Sequence, residues 1–128
     1  MSLMTPISCG ELLDKLTILR IKKERIDNEE KLKNINNELK QLTRIFDNQV
    51  EKSEELDQLI DELRAVNEQL WDIEDEIRAC EKDKDYGERF IELARSVYLT
   101  NDKRANLKYQ INSVTGSELV EEKSYEEY

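Results

Sequence analysis

The sequence has no histidine, a single proline, three glycines and only two cysteines. Each scarcity excludes something. Without histidine there is no Ser-His-Asp triad and no imidazole metal ligand. One proline and three glycines cannot supply the turns of a many-stranded sandwich or barrel. Cys9 and Cys80 are too few for a disulfide framework and read as reduced thiols of a cytoplasmic protein. Cys80 lies on an apolar stripe, where cysteine acts as a small core residue. No apolar run approaches the roughly 20 residues that a bilayer span needs, and no apolar signal region follows Met1. Met1-Ser2-Leu3, ahead of a second methionine at Met4, reads as an expression scar outside the fold.

What is present is charge. Of 128 residues, 30 are acidic and 20 basic, a net of −10, beside a hydrophobic fraction of 38%. That balance describes long, solvated amphipathic helices. It is also the wrong footprint for nucleic acid, so neither nucleic acid nor a membrane is an expected partner.

Three helices are expected from period and caps. Ser8-Cys9-Gly10-Glu11 has the form of a capping box, flanked by Ile7 and Leu12 at the spacing of a hydrophobic staple. Leu12, Leu16, Leu19 and Ile26, then Leu32, Ile35, Leu39, Leu42 and Phe46, carry one helix over about 9–46. Its phase slips by one residue between Ile26 and Leu32, which rotates the apolar face within that helix. Leu56, Leu59, Leu63, Val66, Leu70, Ile73, Ile77 and Cys80 alternate steps of three and four, a coiled-coil-like seam over 54–82 with Ser53 as its N-cap. A turn at 83–87 leads to a third helix over 88–115, marked by Phe90, Ala94, Val97, Ala105 and Ile111 and stopped at Gly116. Residues 117–128 form an acidic tail, expected to be a short docked segment or a frayed end.

Short turns between long helices predict an all-α, antiparallel up-down-up three-helix bundle forming a single domain over 8–116. The acidic middle helix, net −8, would lie between two helices of net +2. Pairing Phe46 with Glu54 sets Lys82 opposite Ile18, so that residues 8–17 overhang. That stretch has apolar residues on both flanks, Leu13 on one and Ile18 and Ile21 on the other. A helix with two apolar faces needs two partners, so these three residues are the expected contact of a homodimer.

Candidate sites are few. The basic cluster Arg20, Lys22, Lys23 and Arg25 is read mainly as facing Asp75 and Glu76 across the bundle. Lys23 falls on the main apolar stripe and either snorkels outward or points inward. Asn101, Arg104 and Lys108 lie near the buried arc of the third helix, where polar residues commonly fix register. The sharper alternative is a core pocket lined by Lys23, Tyr98, Asn101 and Arg104, suited to a small carboxylated or phosphorylated molecule. Acidic spacings such as Asp72-x-x-Asp75 resemble the magnesium-holding pairs of helical nucleotide pyrophosphatases. With this acidity about seven arise by chance, so no metal or other cofactor is expected. Asp83 to Glu88 does not complete a calcium loop, because its glycine comes one place early and its twelfth position is Ala94.

Three segments together resemble a small bacterial and phage family of unknown function. They are Ser8-Cys9-Gly10-Glu11-Leu12-Leu13-Asp14-Lys15-Leu16-Thr17-Ile18-Leu19, Leu70-Trp71-Asp72-Ile73-Glu74-Asp75-Glu76-Ile77-Arg78, and Phe90 to Tyr98 with Asn101-Asp102-Lys103-Arg104. The resemblance implies a helical protein, brings no catalytic residues, and draws attention to Asp14, Lys15, Asn101, Asp102 and Arg104 as polar residues within or beside apolar stripes. Leu19 to Asp27 is also similar to the first helix of the all-helical chorismate mutases, dimers that bind a dicarboxylate with inward Arg and Lys. The further basic residues of that family are missing here in matching order, so no catalytic role carries across. The expected function is a non-enzymatic helical interaction or assembly module, with a small-molecule binder or enzyme using the core pocket as the alternative.

Overall fold

The computed structural model describes residues 1–128 and contains four α-helices and no strand: α1 Cys9–Arg25, α2 Glu29–Gln49, α3 Glu54–Lys82 and α4 Glu88–Thr115. The all-α class agrees with the sequence. The three-helix bundle does not, because the expected first helix is two. Ile26 is extended (φ −99°, ψ 130°), and Asn28 starts a new helix by accepting the amide of Lys31 at 3.0 Å. Glu29 and Glu30 then sit in the first turn, where the helix dipole favours negative charge. The slip between Ile26 and Leu32 is therefore a break, not a rotation within one helix. Removing the cap in Asn28→Ala is expected to cost about 1 kcal/mol, measured by urea unfolding.

The other helix ends follow their caps. Ser53 accepts the amide of Leu56, and α4 ends on Gly116 in the left-handed region (φ 65°). Ser8 accepts the amide of Glu11, but the Glu11 carboxylate is committed to Lys108 on α4.

The chain forms two helical hairpins, α1/α2 and α3/α4, and α1 is the shared element, packing against all three others. Leu12, Leu13 and Leu16 of α1 join Leu56, Leu59, Leu63 and Val66 of α3, Leu107 and Ile111 of α4, and Val50 in one core. Of α2 only Ile35 is buried, with Leu39, Leu42, Ile45 and Phe46 lying against the core from outside. The inferred register falls with the three-helix bundle. Glu24 pairs with Arg64 and Arg25 with Asp72 at 2.6 Å, and neither reaches Asp75 or Glu76. Residues 8–17 do not overhang. They are the best-covered stretch of the chain, with Ser8, Gly10, Leu12, Leu13, Asp14, Leu16 and Thr17 all buried.

Burial is unevenly spread along α3 and α4. The buried residues lie between Leu56 and Asn67 and between Thr100 and Asn112. From Glu68 to Ala79 and from Glu88 to Leu99 none is buried, and Cys80 at the tip is the lone exception. Arg25 at the end of α1 still reaches the lower part of that stretch, pairing with Asp72 and lying over the Trp71 ring. From Ile73 to Val97 no hydrogen bond or ion pair ties the hairpin to α1 or α2.

Candidate functional site

The most distinctive chemistry in the molecule is a buried polar network where α1, α3 and α4 meet. Asp14, with a side chain 2% exposed, faces Arg104. Arg104 Nε donates to Asp14 Oδ1 at 2.9 Å and a terminal N–H donates to Oδ2, a bidentate pairing that matches the planar guanidinium fork. Asn67 Nδ2 donates to Asp14 Oδ1 at 3.0 Å and to Thr17 Oγ1 at 2.9 Å, while the Thr17 hydroxyl donates to the Asp14 carbonyl at 2.9 Å. No buried side-chain nitrogen or oxygen is left without a partner. Such a network, fully satisfied, fixes one arrangement of the helices around it.

The network continues to the start of α1. Lys108 Nζ donates to Glu11 Oε2 at 2.8 Å and to Glu121 at 3.4 Å. The first amides of α1 are capped from the end of α4: Gly10 N–H donates to Asn112 Oδ1 at 2.7 Å and Cys9 N–H to Ser117 Oγ at 3.2 Å. Burial acts to raise the Glu11 carboxyl, but the hydrogen bonds to Lys108 and Glu121, together with the Lys108 charge, outweigh it and hold the group below its ordinary value. Burial likewise acts to lower Lys108, and the Glu11 hydrogen bond with the Asp14 and Glu121 charges pushes it up instead. The Arg104 guanidinium is raised by its hydrogen bond to Asp14 against burial.

A lowered carboxyl contributes stability that is complete above its unfolded value, near 4.3, and is lost as pH falls through the folded value. The melting temperature should therefore fall more steeply below about pH 4.3 in the native chain than in Glu11→Gln, followed by circular dichroism.

The four residues expected to line one pocket do not all meet. Tyr98, Asn101 and Arg104 share a cleft between α4 and residues 117–128, with Asn101 Oδ1 3.5 Å from Arg104. Lys23 is exposed and lines a separate shallow groove on α1 and α2 beside Lys40 and Asp47. Leu13 and Ile21, assigned to a dimer contact, are 0% and 1% exposed, covered by the chain's own helices, and only Ile18 keeps surface. No three Cys, Asp or Glu side chains are grouped to share a metal ion.

Sequence reasoning flagged Asp14 and Arg104 as polar intrusions but missed Thr17, Asn67 and Asn112. Asn67 and Asn112 each directly follow a seam residue, Val66 and Ile111, which is the signal that could have found them.

The chain matches the family of unknown function DUF6165 over residues 3–128 and belongs to it. No curated protein and no solved structure matches the chain. It is an uncharacterised helical module, and no helix is long and apolar enough to cross a membrane.

Proposed function

We propose that this member of DUF6165 is a non-catalytic docking module, whose uncovered α3/α4 hairpin, residues 73–97, engages a protein partner. The observation that carries this reading is the burial pattern. Ile73, Ile77, Phe90, Leu93 and Val97 continue the apolar seam, yet none of them is fully buried, and Ile91 beside them is 56% exposed. An apolar seam left open in this way is a candidate interaction surface. The same segment carries eight acidic and five basic side chains. Its partner is accordingly an apolar strip rimmed with Lys and Arg, because charge complementarity steers encounter and rejects like-charged surfaces. A second copy of this acidic hairpin fits that description poorly. Two free cysteines support a reducing compartment, the cytoplasm, as its location.

The test begins with capture by the tagged full chain and continues with the purified captured protein. Ile91→Asp should weaken its binding about ten-fold or more, as loss of an interface anchor does, with no change in melting temperature, and added salt should weaken binding of the native chain. Capture of nothing, or equal binding by native and variant chains, contradicts the reading. Light scattering that shows a dimer disrupted by Ile91→Asp replaces the partner with a second copy.

A further inference from the structure

The cleft between α4 and residues 117–128 measures about 1080 Å³, at the upper end of ligand-site volumes. Arg104 lies in its wall and gives it the look of an anion site. The bonding says otherwise. Two N–H groups of Arg104 are committed to Asp14, and a third N–H points to Asn101 Oδ1. Its charge is balanced before any ligand arrives. The remaining charges on the wall are three carboxylates, Asp102, Glu126 and Glu127, against the single ammonium of Lys123.

The rest of the lining is aromatic. Tyr98 and Tyr128 stand with ring centroids 5.2 Å apart at 57°, and Tyr125 completes a set of three rings. The residues are 42%, 79% and 78% exposed in the order Tyr98, Tyr128, Tyr125, so each keeps surface that a ligand can reach. The Tyr128 hydroxyl donates to Asp102, which ties residue 128 to α4. Lys123 Nζ already lies over the Tyr125 ring, 5.5 Å from its centroid, an internal example of the interaction these rings can make. A ring face is the negative end of the aromatic quadrupole and attracts cations.

We propose that this cleft binds an organic cation, an alkylammonium or guanidinium group, between the rings of Tyr98, Tyr125 and Tyr128 and the carboxylates of Asp102, Glu126 and Glu127. The cation is either a free small molecule or a side chain presented by another protein. The cleft touches the docking segment only at Val97, and the rings and carboxylates that would hold the cation lie outside that segment, so the site stands whether or not the hairpin docks a partner.

The experiment titrates the isotopically labelled full chain with two probes, choline and the blocked tripeptide Gly-Arg-Gly, using Gly-citrulline-Gly as the uncharged control. Both cationic probes should give saturable amide shifts confined to residues near 98–104 and 123–128, and the citrulline peptide should not. Tyr98→Leu and Tyr128→Leu should each weaken binding about two- to five-fold, the worth of one exposed cation–π contact, with the helical circular dichroism signal unchanged. Asp102→Asn should weaken it further. Tighter binding of the arginine peptide assigns the site to a protein side chain, and tighter binding of choline assigns it to a small molecule. Absence of saturation by either cation, equal shifts with citrulline, or native affinity in both tyrosine variants overturns the proposal.

Discussion

Arg104→Met is expected to lower the stability of the fold by about 3–5 kcal/mol, the cost of leaving a buried charge without its partner. Asp14 has no route to water, with a side chain 2% exposed, and Lys108 Nζ at 3.9 Å lies beyond hydrogen-bonding reach of it. Asn67 would remain as the lone side-chain donor to that carboxylate. For a chain of this length the loss corresponds to a fall of about 10–20 °C in melting temperature. The pairing and its net worth are different quantities. Replacing both members, Asp14→Leu with Arg104→Met, removes the charge and its counter-charge together, and should recover much of the loss. Urea unfolding of the two single variants and the double variant measures the coupling. Strict additivity would show that the guanidinium and carboxylate do not hold each other in solution.

Gly10→Ala should cost about 3 kcal/mol, near the upper end of what overpacking does. A Cβ at residue 10 would lie 2.5 Å from the Lys108 carbonyl oxygen and 3.1 Å from Asn112 Oδ1. The nearer atom is backbone in the middle of α4, so it cannot swing aside. The start of α1 must retreat, which stretches the 2.7 Å bond from Gly10 N–H to Asn112 and disturbs the neighbouring Lys108–Glu11 pair. Asn112→Ala, which removes the acceptor but adds no bulk, should cost less, about 1–2 kcal/mol for a buried amide left unpaired. Equal, small effects of both variants would mean that α1 and α4 do not approach this closely.

How much of this architecture was legible depends on which signal carried it. The ends of α3 and α4 were legible because local chemistry fixes them: Ser53 caps one, and Gly116 takes the left-handed conformation that closes the other. The division of α1 from α2 was written in the same language, as Asn28 followed by two glutamates. It was obscured because the apolar period resumes one residue out of phase, which looks alike for a rotated face and for two helices with a three-residue link. The error then spread. A helix imagined as continuous through residue 46 forces an antiparallel register on α3, an overhang at 8–17 and a surface role for Leu13 and Ile21. Once the chain breaks at Ile26, α1 is free to lie among three partners, and its second apolar flank is used inside the molecule.

The candidate site was legible only in part, for a related reason. Asp14 and Arg104 stood out because each interrupts an apolar stripe. Their convergence across 90 residues is a tertiary fact that no spacing encodes. Gly10 was legible as part of a cap and illegible as the place where two helix backbones meet, because only the partner's carbonyl reveals the need for a missing side chain. Lys23 was drawn into the same pocket by its place on a stripe, but it lies in a groove against α2, away from the core that Leu12 and Leu16 enter.

The central claim is that the α3/α4 hairpin beyond Asp72, which Arg25 of α1 still holds, keeps its apolar seam uncovered. A soluble paramagnetic agent added to methyl-labelled protein tests it most directly. The methyl signals of Ile73, Ile77, Ile91 and Leu93 should broaden strongly, while those of Leu13, Leu16, Leu63 and Ile111 should be spared. Equal protection of both sets at low protein concentration would contradict the claim, because it would mean that another part of the chain covers the hairpin.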